Sequence, residues 1–117
     1  MEGPAVGAVA PPDEGFVRVA RAADVEPGVP LAVETPDGAA LVLARVGDAI
    51  CALADQCTHR EFPLSAGEVL PDGTIECPWH GARFDCRTGG VRTGPATKGV
   101  RTYDVKVVEG SVWIRVS

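Results

Sequence analysis

Apolar and polar positions alternate with a period of two over several short stretches of this chain, and no stretch sustains a period of 3.6. A period of two places successive side chains on opposite faces of an extended strand. Phe16-Val17-Arg18-Val19-Ala20 predicts a first strand, Leu31 to Thr35 a second, Leu41 to Val46 a third and Ala49 to Ala54 a fourth. Thr74-Ile75-Glu76-Cys77 predicts a short strand, and Val105 to Val108 with Val112 to Val116 predicts a closing hairpin. Turn residues punctuate these runs at Pro27-Gly28, Pro36-Asp37-Gly38, Gly47-Asp48, Pro71-Asp72-Gly73 and Glu109-Gly110. Glycine at the first central position of Gly47-Asp48 suits a two-residue type II′ hairpin, and Glu109-Gly110 reads as the same device. Ala20 to Val25 has room for one helical turn at most.

These elements predict an all-β domain of short antiparallel strands in a β-sandwich or barrel. At 117 residues the chain has the size of one domain. Strands within Phe16 to Ala54 and Thr102 to Val116 flank a segment, about residues 55–97, that is richer in glycine, proline and loops. That segment reads as a lobe inserted into one β-structure. Residues 1–15 have no hydrophobic period and are expected to be a flexible N-terminal segment ahead of a domain over 16–117.

Net charge is −5, which argues against nucleic acid as a partner. No run of apolar residues reaches membrane-spanning length, and the first fifteen residues lack the basic and apolar regions of a secretory signal. The expectation is a soluble, cytoplasmic protein with reduced thiols.

Both histidines of the chain and two of its four cysteines lie in two short segments, Cys57-Thr58-His59 and Cys77-Pro78-Trp79-His80. Seventeen residues, Arg60 to Glu76, separate the two segments. Thiolate and imidazole suit both zinc and iron–sulfur chemistry. A Cys₂His₂ zinc finger groups its two cysteines in one element and its two histidines in another, whereas each segment here is mixed. Mixed segments suit two loops meeting at a binuclear centre, with Cys57 and Cys77 on one iron and His59 and His80 on the other. A structural zinc site on the same four ligands, and four residues with no metal at all, are the competing readings.

The two motifs resemble the cluster-binding loops of the Rieske-type [2Fe–2S] proteins. The resemblance extends through Arg83-Phe84-Asp85 and Thr88-Gly89 to Gly94-Pro95-Ala96. It implies the Rieske-like fold, one [2Fe–2S] cluster per chain, and Cys57, His59, Cys77 and His80 as its ligands. In the respiratory and photosynthetic members each loop carries an extra cysteine, and the two form a disulfide. The matching positions here are Phe62 and Trp79, so that bridge is absent. High-potential members place a serine and a tyrosine after the second histidine, whose hydroxyls donate to the cluster sulfurs. Ala82 and Phe84 stand at those positions, which implies a low-potential centre near the −150 mV end of the family's range of about −150 to +300 mV. Gly94-Pro95 is similar to the family's proline loop, and Gly81, Gly89 and Gly94 are expected to permit tight turns or close backbone approach.

Cys51 and Cys86 lie outside both motifs. They read as small buried hydrophobes with ordinary thiols, a disulfide between them being the alternative. Trp79 and Trp113 read as the large packing residues of a core poor in aromatics. Arg60, Arg83, Arg87 and Arg92 surround the motifs, either as a solvated rim or as a docking surface.

The resemblance implies a soluble one-electron carrier and not an enzyme. The expected donor is a flavin-dependent reductase and the expected acceptor a terminal oxygenase of the ring-hydroxylating dioxygenase type. A small subunit of a nitrite reductase and a ferredoxin beside iron–sulfur assembly machinery are the alternatives. The expected state is a monomer, with no nucleic acid and no membrane as partners.

Overall fold

The structure is a computed structural model and describes residues 15–55, 63–78, 81–94 and 99–115. Its strands are β1 (Phe16–Arg21), β2 (Leu31–Glu34), β3 (Ala40–Val46), β4 (Ala49–Ala54), β5 (Glu68–Val69), β6 (Thr74–Glu76), β7 (Arg83–Asp85), β8 (Val91–Thr93), β9 (Thr102–Tyr103), β10 (Val105–Val108) and β11 (Ser111–Arg115). They form three antiparallel sheets, ordered β1-β11-β10, β2-β3-β4-β9 and β5-β6-β7-β8. Among the described residues there is no α-helix. Two single 3-10 turns, Ala22–Asp24 and Leu64–Ala66, are the only helical elements there, and the first lies inside the one turn that Ala20 to Val25 allows.

The β2-β3-β4-β9 sheet is central, because both of its faces are buried. Leu41, Leu43, Ile50 and Ala52 join Val25, Val112 and Ile114 in one core. Val42, Ala44 and Leu53 join Leu64, Val69, Ile75 and Phe84 in the other. Burial on two faces explains why β3 reads Leu-Val-Leu-Ala as an unbroken apolar run, where β1, with one buried face, alternates around the exposed Arg18. The outer β1-β11-β10 sheet closes the first core. The small β5-β6-β7-β8 sheet, drawn from the region expected to be a lobe, closes the second.

The hairpins follow their turn chemistry. Gly47 takes φ +61° and Asp48 has no positive φ, the type II′ pattern. It holds β3 and β4 in register from Leu41↔Ala54 to Val46↔Ala49. The β10–β11 turn differs from expectation: Glu109 and Gly110 are both left-handed, at φ +49° and +79°, so this is a type I′ turn. Thr35 also departs from its predicted strand. It is buried, its hydroxyl donates to the Asp37 carboxylate, and it accepts the Ala39 N–H at 3.0 Å, which ends β2 one residue early. Trp113 packs as expected, 5% exposed, with its indole N–H lacking a partner.

Strands β5, β7, β8 and β9 were not predicted. At two or three residues each they are too short to show a period. The expectations for residues 1–14 and for Val116 fall outside the described residues.

Candidate metal centre

Three connections of the chain, over residues 56–62, 79–80 and 95–98, lie outside the described residues, and the contacts at their described ends define the site. On either side of the first, which holds Cys57 and His59, Asp55 and Ser65 are pinned together by one carboxylate. Asp55 accepts the Ser65 backbone N–H at 2.7 Å and the Ser65 hydroxyl at 2.6 Å. Asp55 is itself anchored to the central sheet, donating its N–H to the Ala40 carbonyl at 3.1 Å. Hydrogen bonds to an ionised acceptor are stronger than neutral ones, so two of them make an effective clasp.

The second connection begins where β6 ends. Cys77, predicted as the last strand residue, lies just past Glu76 and is fully buried. Its N–H donates to the Ala82 carbonyl at 2.7 Å, which draws Cys77 and Ala82 together, and Gly81 beside Ala82 takes φ +73°. Glu76 pairs with Arg83 just outside them, Arg83 Nε donating to Glu76 Oε2 at 3.0 Å. The described flanks of the first two connections touch. A Cβ on Gly67, which ends the 3-10 turn after the first connection, would lie 1.8 Å from the Glu76 carbonyl oxygen and 3.2 Å from the Pro78 ring. Only glycine lets these two backbones meet.

The third connection follows Gly94, and the chain is described again from Gly99. Val100 N–H donates to the Gly89 carbonyl at 2.8 Å, and a Cβ on Gly89 would lie 1.9 Å from the Val100 carbonyl oxygen. The close approach expected of Gly89 is therefore present. Gly94, expected to act in the same way, has no positive φ, and among the described residues no atom lies within 4 Å of an added Cβ.

Cys77 shares its core with Ala82, Phe84, Leu64 and Ile75, all fully buried. A thiolate in that setting needs positive charge beside it, because burial in apolar surroundings disfavours the ionised form. A metal ion supplies that charge, and soft sulfur and imidazole nitrogen are ligands that iron accepts. The donor set thus fits an iron–sulfur cluster. Ala82 and Phe84 bring no hydroxyl to this core.

Of the four predicted ligands, the structure describes Cys77. Cys57, His59 and His80 lie outside the described residues, as do Arg60, Phe62, Trp79, Pro95 and Ala96. Arg83, half-buried, is tied to Glu76 and Arg92 to Asp85, each at 3.0 Å, and Arg92 and Arg87 are both exposed.

Cys86 is buried in the same core as Cys77, and Cys51 packs against it half-buried. Their packing matches expectation; their acidity does not. Burial pushes the Cys86 thiol up to about 12, with neighbouring negative groups adding to the effect. Burial also raises Cys51, partly opposed by the Arg87 guanidinium.

Sequence reasoning missed the Asp55–Ser65 clasp and the Gly67 contact. A carboxylate at a strand end, ten residues before a serine, carries no sequence signature. Gly67 stands one residue before a two-residue strand and reads as an ordinary turn glycine.

Comparison with known proteins adds to this geometry. The profile of the Rieske [2Fe-2S] domain matches residues 15–104. The chain is 37% identical over 99 residues to ferredoxin CarAc of Metapseudomonas resinovorans, an alignment covering 85% of this chain and 92% of that protein. Among solved structures, Sphingomonas yanoikuyae B1 ferredoxin superposes with a TM-score of 0.82 at 32% identity, over 86% of this chain and 98% of that one. A chain in the complex of reduced oxygenase and oxidized ferredoxin in carbazole 1,9a-dioxygenase matches with a TM-score of 0.78 at 36% identity, over 88% of this chain and 94% of that one.

Proposed function

The chain belongs to the Rieske [2Fe-2S] family, and from that premise we propose that Cys57, His59, Cys77 and His80 are the ligands of its one [2Fe–2S] cluster. The protein is an electron-transfer component and not an enzyme. When bound, the cluster supplies reversible one-electron chemistry, at a potential set by its ligands and by the hydrogen bonds they receive.

The residues of the chain divide that work. Cys57 and Cys77 act as thiolates and bring two negative charges. His59 and His80 bind as neutral imidazoles and bring none, which raises the potential above that of an all-cysteine site. The buried core around Cys77 keeps water from the sulfur end. Ala82 and Phe84 offer no hydroxyl to the sulfurs, so the potential stays near the low end of the family range, about −150 mV.

The observation that supports this reading is a contact between the described flanks of the two motifs. Gly67, four residues beyond Pro63, packs against the Glu76 carbonyl and the Pro78 ring, with Cys77 buried beside them. A zinc site on the same four ligands would need the same approach, so metal and sulfide content separates the two.

The acceptor we propose is a terminal oxygenase, supported by the carbazole dioxygenase ferredoxin, which is seen in complex with its oxygenase. The donor is a flavin-dependent reductase, and the protein works as a cytoplasmic monomer. Among the described residues no helix is long and apolar enough to cross a membrane. The functional unit spans 16–117, with its cluster-binding lobe at about 55–97.

Iron and sulfide analysis with a redox titration followed by EPR tests the assignment. The expected result is two irons and two sulfides per chain, visible colour, and an EPR signal that appears on reduction at a low potential. Zinc gives neither colour nor signal. Protein that stays colourless and free of iron and sulfide after reconstitution would overturn the reading.

A further inference from the structure

Two cysteines remain once the cluster ligands are set aside, and the fold brings them to one place. Cys51 lies on β4, opposite Ala44 of β3. Cys86 follows β7 and is fixed by its N–H, which donates to the Gly73 carbonyl at 2.9 Å. Both are free thiols. Both line the same cavity of about 200 Å³, with Ala52, Arg87, Thr102 and Tyr103. They are near enough that negative charge on Cys51 acts on Cys86. The two residues also bracket the chain in a particular way, because Cys57, His59, Cys77 and His80 all lie between them.

We propose that Cys51 and Cys86 are a site of reversible oxidation, at which hydrogen peroxide joins them in a disulfide that ties the central sheet to the cluster-binding lobe. Peroxide is small and uncharged, so the cavity admits it. Cys51 is the first to react, being the more exposed thiol; burial and Asp85 raise it, and the Arg87 guanidinium partly opposes that rise. In that step the peroxide O–O bond breaks, the sulfur gains a hydroxyl as a sulfenic acid, and one water leaves. Cys86 then attacks that sulfur, the S–O bond breaks, the S–S bond forms, and a second water leaves. Two thiols have lost two electrons and two protons, and one peroxide has become two waters. Burial keeps both thiols protonated at neutral pH, so the pair is slow to react and stays reduced during ordinary electron transfer.

The consequence is structural. The disulfide closes a loop around the whole ligand-bearing segment, and cross-links that close long loops restrict the unfolded chain. The oxidised protein therefore keeps its lobe tethered to the central sheet even when the cluster is lost.

The test uses the cluster-loaded protein as purified. It is exposed to millimolar hydrogen peroxide, quenched with catalase, denatured in an alkylating agent and digested for mass spectrometry. The expected product is a Cys51–Cys86 linked peptide in most chains, two hydrogens lighter than its parts and split by dithiothreitol. Its formation should be lost in Cys51→Ser and in Cys86→Ser, and faster at pH 9 than at pH 7. A second measurement needs no variant: cluster-free protein oxidised in this way should melt at a higher temperature than its reduced form. Alkylated Cys51 and Cys86 after peroxide treatment would overturn the proposal. So would cysteines carried separately to sulfinic acid, or a Cys57–Cys77 linkage in place of the expected one. The inference does not depend on the cluster ligands, and colourless protein would leave its test intact.

Discussion

The central and outer sheets on one side, and the four-stranded β5-β6-β7-β8 sheet on the other, are built by different means. β3 and β4 share an unbroken ladder of six residue pairs, and the cores beside them are packed with Leu, Val and Ile. The smaller sheet has strands of two or three residues. Polar stitches hold it. Asp72 accepts the Thr74 N–H and hydroxyl, Asp85 accepts the Arg87 and Thr88 N–H groups, Arg83 bridges to Glu76, and Asp55 clasps Ser65. Short strands make few ladder bonds of their own, so the lobe adds carboxylate stitches and a metal centre to the burial of Leu64, Val69, Ile75 and Phe84. Its core is shared with the central sheet, on which the ligand-bearing segments are mounted.

The sharpest way to break this contrast is to remove the cluster. Cys77→Ser should abolish colour and iron content, and His59→Cys should either do the same or move the potential toward the roughly −400 mV of all-cysteine clusters. Hydrogen exchange on Cys77→Ser should show fast exchange across residues 68–93, with β3, β4 and β11 still protected. Equal loss of protection in all three sheets would mean that the molecule is a single cooperative unit.

A mutation in the opposite region should do the reverse. Leu43 is fully buried in the core between the central and outer sheets. Leu43→Ala should cost about 2–5 kcal/mol in denaturant unfolding, with the midpoint potential unchanged. A shifted potential would show that the two regions are mechanically coupled. At the clasp, Asp55→Ala leaves the Ser65 N–H without its acceptor and should cost about 1–3 kcal/mol. Its effect should appear chiefly as faster bleaching in the presence of a chelator.

Acid and alkali should also separate the regions. Burial pushes the Asp85 carboxyl up, but N–H donation from Thr88 and Arg87 and the Arg92 guanidinium outweigh it, so the net direction is down. A carboxyl lowered by folding stabilises the native state above its ordinary value near 4, and that stabilisation is lost as pH falls through the lower folded value. Cys86 runs the other way. Its thiol is raised from near 9 to about 12, so its contribution is complete below about pH 9 and is lost as pH rises toward 12. Melting temperature against pH should therefore fall at both ends. Asp85→Asn should flatten the acid limb and Cys86→Ala the alkaline limb.

The same contrast decides what the sequence makes legible. β1, β3, β4, β10 and β11 are long enough to be read as strands, by alternation in β1 and by an unbroken apolar run in β3, and the turns between them carry glycine where the backbone demands it. The lobe has no such rhythm. It is legible through chemistry instead, because both histidines of the chain fall beside cysteines at loop spacing. What neither signal reaches are the longer stitches: Asp55 to Ser65 and Gly67 against Glu76. Each depends on two segments meeting in space, whereas Asp72 to Thr74 is a local turn contact two residues long. β7 shows the limit most plainly. Arg83-Phe84-Asp85 was recognisable as part of the motif region, yet its role as the strand between β6 and β8 follows only from the pairing of Ile75 with Phe84 and of Phe84 with Val91.

The smallest expected effect lies at the turn where expectation and structure parted. Glu109 holds φ +49° in the type I′ turn between β10 and β11. A left-handed conformation costs an ordinary L-residue about 1 kcal/mol, and asparagine tolerates it better because its short side chain bonds locally. Type I′ turns accordingly favour Asn-Gly. Glu109→Asn keeps Gly110 in place and should raise stability by about 0.5–1 kcal/mol, a recovery of most of that strain. The gain should appear in thermal unfolding, with visible spectrum and potential unaltered, because the outer sheet and the lobe close separate cores on the two faces of the central sheet. Glu109→Val is the counter-test. A β-branched residue is least at ease at positive φ, so it should lose stability at the same site, and a gain there would mean that the turn is not type I′.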